Sequence, residues 1–442
     1  MNSFFKGTII LILAAFLSEC TEFFVNMILA RELKQEGMGL YMSVLPVVFL
    51  VFVIASLELQ VSISKFVAEN KRNLHFPLLK HALKLALEIM LVMLVLTFIV
   101  TSFPTFLDRF HPMVKWLLFC LIPIASFSSI ARGYFMGVQQ MGKIAISNFI
   151  RKAFQLSFLF IIFYFFKLNV ELSLLLALSA MIGGELIVFL YLISLFLIHF
   201  RALKTMDKAV LSGKQARQKL LSISVPTVGL RVFHAITNAI QPFLIQGALV
   251  SSGFGTVAAT EHFGMLSGVA MTIGFFPAFI AHSLMIMLIP TVSEAYAKND
   301  FEKLRSLLQQ SMWLTMIYGV PSVFCMYIFA EPLTSLFFSS VDASFYLKLM
   351  WPYFLFHFFI IPMQAYLIGL GLVKETFLHS VWSHIFSFGL IYFLGSQEPL
   401  NTTGVIIGLN TGGVLLALLH YFTICKKIGI TIWLTNERPK IN

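Results

Sequence analysis

Polar and ionisable side chains recur at helical spacing inside runs that are otherwise apolar. Thr227, Arg231, His234, Asn238 and Gln241 follow spacings of four, three, four and three, so one helical face carries a cation, an imidazole and two amides over about four turns. Glu19, Glu22 and Asn26, at spacings of three and four, make an acidic stripe on another run. Glu58, Ser62 and Lys65 repeat the pattern toward the end of a third, Ser128 and Arg132 lie in a fourth, and Glu185 stands beside Gly183 and Gly184 in a fifth.

A charged side chain inside hydrocarbon costs about 3 kcal/mol on insertion scales, so each of these needs a partner, water or a function. Arg231 suits either a cavity cation that meets an anionic headgroup or a structural ion pair. Glu19 and Glu22 suit binding of H⁺ or Na⁺, or neutralisation of Arg or Lys on a neighbouring helix. Glu58 and Lys65 read as an intrahelical or interfacial pair, and Glu185 as a charge-balancing carboxylate. Arg132 lies near enough to a membrane face to snorkel or to bind a lipid phosphate.

The elements that must position these groups follow from composition. The chain of 442 residues is 59% hydrophobic and 12% charged, with a mean hydropathy of +0.89; a soluble domain carries roughly 25% charged residues. Apolar runs of about twenty residues, each long enough to cross a hydrocarbon core of roughly 30 Å, predict transmembrane helices. They lie near 7–30, 40–64, 82–103, 113–138, 149–166 and 172–199, then near 220–249, 262–290, 311–330, 345–370, 376–395 and 403–424. The sequence thus predicts an all-α integral membrane protein of about twelve spans: an N-terminal six-helix lobe (1–199), a linker (200–219), a C-terminal six-helix lobe (220–424) and a tail (425–442).

Basic residues orient the spans. Counted with the adjoining span ends, the N-terminus, the even-numbered loops and the tail hold 23 of the 31 Lys and Arg, the odd loops six, and two lie deeper within spans. By the positive-inside rule both termini are cytoplasmic. The net charge of +11 therefore follows topology and faces anionic membrane lipids; nucleic acid is not an expected partner. Glu19 ahead of Cys20, and the continuation of the apolar run past it, predict an uncleaved first span and not a lipoprotein signal. Cys20, Cys120, Cys325 and Cys425 lack CxxC spacing and read as packing residues. His282, His357, His379 and His384 are scattered without a paired-ligand pattern, so no metal is expected. No phosphate-binding Walker loop is present, so a gradient must drive any transport. Pro226, Pro277, Pro321 and Pro362 mark expected kinks.

The two halves also resemble each other. Glu36-Gly37-Met38-Gly39 matches Glu261-His262-Phe263-Gly264, Ser64 to Asn70 matches Ser293 to Asn299, and Tyr134 to Gly137 matches Tyr366 to Gly369, in the same order. Six spans separate the copies, an even number, so the repeats are parallel. Transporters whose bundles rock about a shared site are built this way.

Gly37-x-Gly39-Leu40-Tyr41 with Pro46, Ser62 to Glu69, and Arg132 to Met141 together resemble the stage V sporulation protein B-like polysaccharide transporters of the multidrug/oligosaccharidyl-lipid/polysaccharide (MOP) exporter superfamily. The resemblance implies two six-helix lobes around a central cavity, a flippase moving a lipid-linked saccharide to the outer leaflet of a bacterial cell membrane, and a role in spore envelope assembly. Arg231, with His234, Asn238, Gln241, Arg132 and Lys65, would then face the substrate, and Glu19, Glu22, Glu58 and Glu185 would serve cation coupling or charge balance. Where the related lipid II flippases bring arginines to the cavity on their first helix, this chain brings Glu19 and Glu22. Cation-coupled drug efflux and a non-transporting scaffold for sporulation are the alternatives.

Overall fold

A computed structural model describes residues 3–103, 106–204, 212–338 and 342–430. The regular elements there are helices: α1 (Ser3–Ser56), α2 (Leu59–Glu69), α3 (His75–Ser102), α4 (Met113–Gly137), α5 (Met141–Phe165), α6 (Val170–Lys204), α7 (Gly213–Ser251), α8 (Thr256–Phe263), α9 (Met271–Phe275), α10 (Ala278–Ala297), α11 (Phe301–Ile328), α12 (Ala330–Ser335), α13 (Asp342–Leu349), α14 (Trp351–Gly369), α15 (Val373–Gly395) and α16 (Asn401–Ile428). Among the described residues ten runs are long and apolar enough to cross a membrane, α1 and α2 counting as one. Such helices close every backbone hydrogen bond within themselves, which hydrocarbon demands. On α3 the side chains of Leu91, Val92, Val95, Leu96, Phe98 and Ile99 are exposed, an apolar face that only lipid solvates.

The first two predicted spans are two helices, labelled together as α1, that meet at a kink at Lys34 (φ 57°, ψ −171°) in the polar stretch Arg31 to Gly39. Their 54 residues rise about 80 Å in all at 1.5 Å per residue, enough for two crossings. The spans depart from expectation in two places. The predicted span near 262–290 is assembled from α8, a π-helical stretch at Gly264–Ala270, α9 and α10, with the break falling at Pro277. Pro321 and Pro362, by contrast, lie inside uninterrupted helices; Pro226 and Thr227 lie in α7 with their side chains outside the described residues. Finally, α7 is not among the ten apolar runs, because Arg231, His234, Asn238 and Gln241 interrupt it.

Contacts divide the chain into two compact units, residues 40–240 and residues 1–39 with 241–442. In the first, Leu59, Ile63, Leu79, Ala82, Tyr134, Phe135, Leu192 and Phe196 form a buried core. In the second, Val292, Ala295, Leu304, Leu308, Tyr366, Leu367 and Ile424 do so. The repeat appears in each as one helix crossing. A Cβ on Gly137 would lie 2.6 Å from Val67 Cβ and 2.8 Å from the Ser64 carbonyl oxygen, and one on Gly369 would lie 2.8 Å from Val292 Cβ and 2.9 Å from the Ile289 carbonyl oxygen. Ser64 therefore corresponds to Ile289, one helical turn from the Ser64–Ser293 match read in the sequence. A slip of four residues keeps the same helical face, so pattern alone does not resolve it.

The matched glycines Gly39 and Gly264 meet directly. A Cβ on Gly264 would lie 2.7 Å from the Gly39 nitrogen and collide with the Gln35 carbonyl, and one on Gly39 would collide with that of Thr260. Both obstacles are backbone and do not swing aside. Gly39→Ala is expected to destabilise the fold by about 1–3 kcal/mol, as overpacking does. The check is a lower thermal midpoint in detergent for Gly39→Ala than for Gly142→Ala, where nothing lies within 4 Å.

Candidate functional site

The second membrane crossing breaks where its charge sits. Leu57 (φ 42°) and Glu58 (φ 46°) are left-handed, a conformation costing about 1–3 kcal/mol per non-glycine residue and characteristic of functional sites. Helix α1 ends at Ser56 and α2 begins at Leu59, so helical pairing lapses between them. The Ser126 hydroxyl on α4 donates to the Ala55 carbonyl at 2.9 Å, and Leu57 N–H donates to Ile54 at 3.1 Å. The break is therefore hydrogen-bonded from outside the helix, as irregular backbone at membrane depth must be.

Helix α7 lies antiparallel along this broken segment. Lys219 Nζ sits 5.3 Å from the Phe66 ring centre, the Ser224 hydroxyl donates to Ser62 at 2.9 Å, and Arg231 Nη1 donates to Glu58 Oε1 at 2.7 Å. The Gln60 amide donates to the other Glu58 oxygen at 3.4 Å. The Glu58 side chain is only 3% exposed, whereas that of Arg231 is 41% exposed. The pair thus joins a sequestered anion to a cation whose outer face is accessible, the arrangement expected of a charge that is held in place and still able to meet a ligand.

The remaining α7 stripe continues from this pair. His234 is half-buried and Asn238 exposed; Gln241 is half-buried and falls in the second contact unit. Lys65 does not pair with Glu58: the break turns Glu58 away, and the Lys65 ammonium lies exposed, 4.0 Å from Glu69. Its place at the site is not supported by contact with any of the others.

A second charge cluster lies in the same unit. Glu185 on α6 accepts from Arg151 Nη1 on α5 at 2.9 Å and from Arg132 Nη2 on α4 at 3.4 Å. All three side chains are largely buried, with exposures of 11%, 33% and 17%. One carboxylate between two guanidiniums leaves a net positive charge. Sequence spacing does not point to Arg151, because it stands near the start of a predicted span, where a basic residue usually marks a loop; its signal is that the apolar run already surrounds it. Gly184 makes room for it, since a Cβ there would lie 3.0 Å from Arg151 Cγ.

Glu19 and Glu22 are half-buried on α1, with Asn26 buried one turn on. Of the cysteines only Cys425 is buried; Cys120 and Cys325 are exposed, which corrects their reading as packing residues. Cys20 and Cys325 instead line an apolar cavity of about 590 Å³ with Phe23, Phe276, Pro277 and Pro321. The histidines are less scattered than their numbering suggests: the Nδ1 atoms of His379 and His420 lie 3.0 Å apart, and the Thr423 hydroxyl lies 3.1 Å from His379 Nε2.

A family model described as polysaccharide biosynthesis protein matches residues 4–296, and one described as MatE matches residues 264–393. The chain is 51% identical to sporulation protein YkvU of Bacillus subtilis (strain 168) over the full length of both. It is 32% identical to stage V sporulation protein B of the same strain, over 98% of this chain and 85% of that protein. To the lipid II flippase MurJ of that strain it is 22% identical, over 65% of this chain and 57% of the other. Its fold is similar to that of a solved inward-facing multidrug resistance MATE family transporter of the MOP superfamily, with a TM-score of 0.72 at 15% identity, over 95% of this chain and 98% of that one.

Proposed function

The chain belongs to the polysaccharide biosynthesis protein family within the MOP exporter superfamily, and on that footing we propose that it is a flippase moving a lipid-linked saccharide to the outer leaflet of a bacterial cell membrane. The observation that carries this reading is the accessible Arg231 guanidinium, held by buried Glu58 at a left-handed break in a membrane helix. A lipid-linked saccharide carries its charge in the phosphate or diphosphate linkage, and a half-exposed guanidinium is the side chain best suited to that group. His234, Asn238 and Gln241, continuing the face, offer hydrogen bonds to sugar hydroxyls. The Arg132–Glu185–Arg151 cluster adds positive charge without adding exposed anions.

In this reading the 54-residue α1 supplies two crossings and α7 supplies another, which brings the spans to twelve. The sequence halves 1–199 and 220–424 are the two repeated lobes, joined by the linker 200–219, and both termini, with the tail 425–442, are cytoplasmic. Alternating access exposes the site to each leaflet in turn. Glu19 and Glu22 couple the cycle to H⁺ or Na⁺, and the basic cytoplasmic loops rest on anionic lipids. The relatives named for sporulation favour a lipid-linked precursor of the spore envelope as cargo.

Depletion of the protein during sporulation is expected to raise a lipid-linked saccharide several-fold on the cytoplasmic leaflet, read by leaflet-selective labelling and mass spectrometry. An unchanged lipid-linked pool would overturn the proposal. The MatE match over residues 264–393 favours a second reading, cation-coupled efflux of an amphiphilic compound. Under that reading Glu19→Gln and Glu22→Gln sensitise cells to such compounds while the lipid-linked pool stays constant.

A further inference from the structure

We propose that a second site, on the face to which the basic loops assign the cytoplasm, binds a phosphate group in a cavity lined by Asn70, Arg72, His75, Tyr134, Gln140 and His199. The cavity has a volume of about 420 Å³, and its lining contains no carboxylate. It is walled by the segment after α2, the start of α3, the end of α4 and the end of α6, all within the unit formed by residues 40–240. It is therefore distinct from the Arg231 site on α7.

The hydrogen bonds show which way its protons point. Lys143 Nζ lies 3.2 Å from His199 Nε2, and His199 Nδ1 lies 3.3 Å from the Tyr134 hydroxyl. An ammonium can only donate, so Nε2 accepts and the ring carries its proton on Nδ1. That proton goes to Tyr134 Oη, and the phenolic O–H is left to donate elsewhere. Tyr134 is buried and lines the cavity, which is where that donor finds room.

His75 makes the same demand from the other wall. Its Nε2 lies 3.1 Å from the Asn70 carbonyl oxygen, so Nε2 donates. Its Nδ1 is buried without a hydrogen-bond partner among the described residues, in a side chain belonging to a residue only 6% exposed. A buried imidazole nitrogen left unmatched costs about 1–3 kcal/mol.

Arg72 supplies the fixed charge. It is exposed at the cavity, and its field and that of Lys143 both reach the His199 ring. A guanidinium, a phenol with an uncommitted proton and the N–H groups of two amides supply donors, and the buried His75 nitrogen lacks a partner among the described residues. A phosphate oxygen group, with several acceptors and negative charge, is the ligand chemistry that satisfies those donors. The phosphate belongs either to an anionic lipid headgroup of the inner leaflet or to a soluble phosphate compound.

Full-length protein in detergent, titrated separately with inorganic pyrophosphate and with dioctanoyl phosphatidylglycerol at constant ionic strength, tests the assignment through its thermal midpoint. A saturable rise is expected with at least one probe. A response to the lipid alone identifies a headgroup site, and a response to pyrophosphate alone a soluble ligand. Arg72→Gln, at an exposed position, and the conservative Tyr134→Phe are each expected to weaken that binding about tenfold or more, while Lys374→Gln, at an exposed position outside both sites, leaves it unchanged. No saturable response to either probe, or equal affinity in wild type, Arg72→Gln and Tyr134→Phe, would overturn it.

Discussion

Arg231→Ala is expected to abolish transport and also to lower the amount of folded protein, whereas Glu58→Ala with Arg231→Ala in one chain restores the amount and not the transport. The asymmetry of the pair explains the first result. Removing Arg231 leaves the Glu58 carboxyl group, 3% exposed, without its cation at 2.7 Å. Breaking a buried pair from one side costs about 3–5 kcal/mol, and the accessible Arg231 places this case near the lower figure. Removing both partners leaves no orphaned charge, so a purely structural pair would be rescued completely. Immunoblotting of membranes reads accumulation, and leaflet labelling of the lipid-linked pool reads transport. Full complementation of sporulation by the double variant would reduce Arg231 to a structural role, and would favour a scaffold if Glu22→Gln were also silent.

Glu185→Ala is expected to have the largest effect on stability in the chain. It strips one carboxylate from two guanidiniums, Arg132 and Arg151, whose side chains are 17% and 33% exposed. Two like charges then face each other in a medium that screens poorly, and a loss of about 3–5 kcal/mol follows from the unpaired charge alone. Arg151→Ala should cost less, because Glu185 keeps Arg132 and the cluster becomes neutral. The expected order of thermal midpoints in detergent is therefore wild type above Arg151→Ala above Glu185→Ala. Equal losses from Arg151→Ala and Glu185→Ala would show that the cluster is held by packing and not by its shared charge.

Most of the helical architecture was legible in the residues because hydrocarbon imposes a single rule, that each crossing be about twenty apolar residues closing its own hydrogen bonds. The rule failed where polarity was spent on something else. Helix α7 carries four polar side chains on one face, so it drops out of the apolar runs even though it is a continuous helix. The span near 262–290 reads as one run, yet Pro277 cannot donate into the ladder and Gly264 packs against the Gly39 backbone, so it is built in pieces. The repeat was legible in order but not in register, since a shift of one turn preserves the face.

The site residues divide in the same way. That Glu58, Arg132, Glu185 and Arg231 need partners followed from their cost in a membrane. Which partners they take did not. Glu58 and Lys65 look like an intrahelical pair only while the helix is assumed continuous, and the left-handed residues at 57 and 58 send the carboxylate to Arg231, 173 positions along the chain. Lys143 and His199 carry no local signal, and Arg151 only that an apolar run surrounds it, because their roles arise from ring and guanidinium geometry across α4, α5 and α6.

By itself the sequence determined the solvent, the helical class, the repeat and the family, because each depends on composition, on helical periodicity or on short motifs compared along the chain. The tertiary structure alone decided that the Arg231 cation is held by Glu58, that Glu185 is shared by two arginines, and that a donor-lined cavity stands at the ends of α2, α4 and α6. Those outcomes depend on where helices cross, and crossing points are set by close packing between residues far apart in the chain, as at Gly137 against Val67 and Gly39 against Gly264.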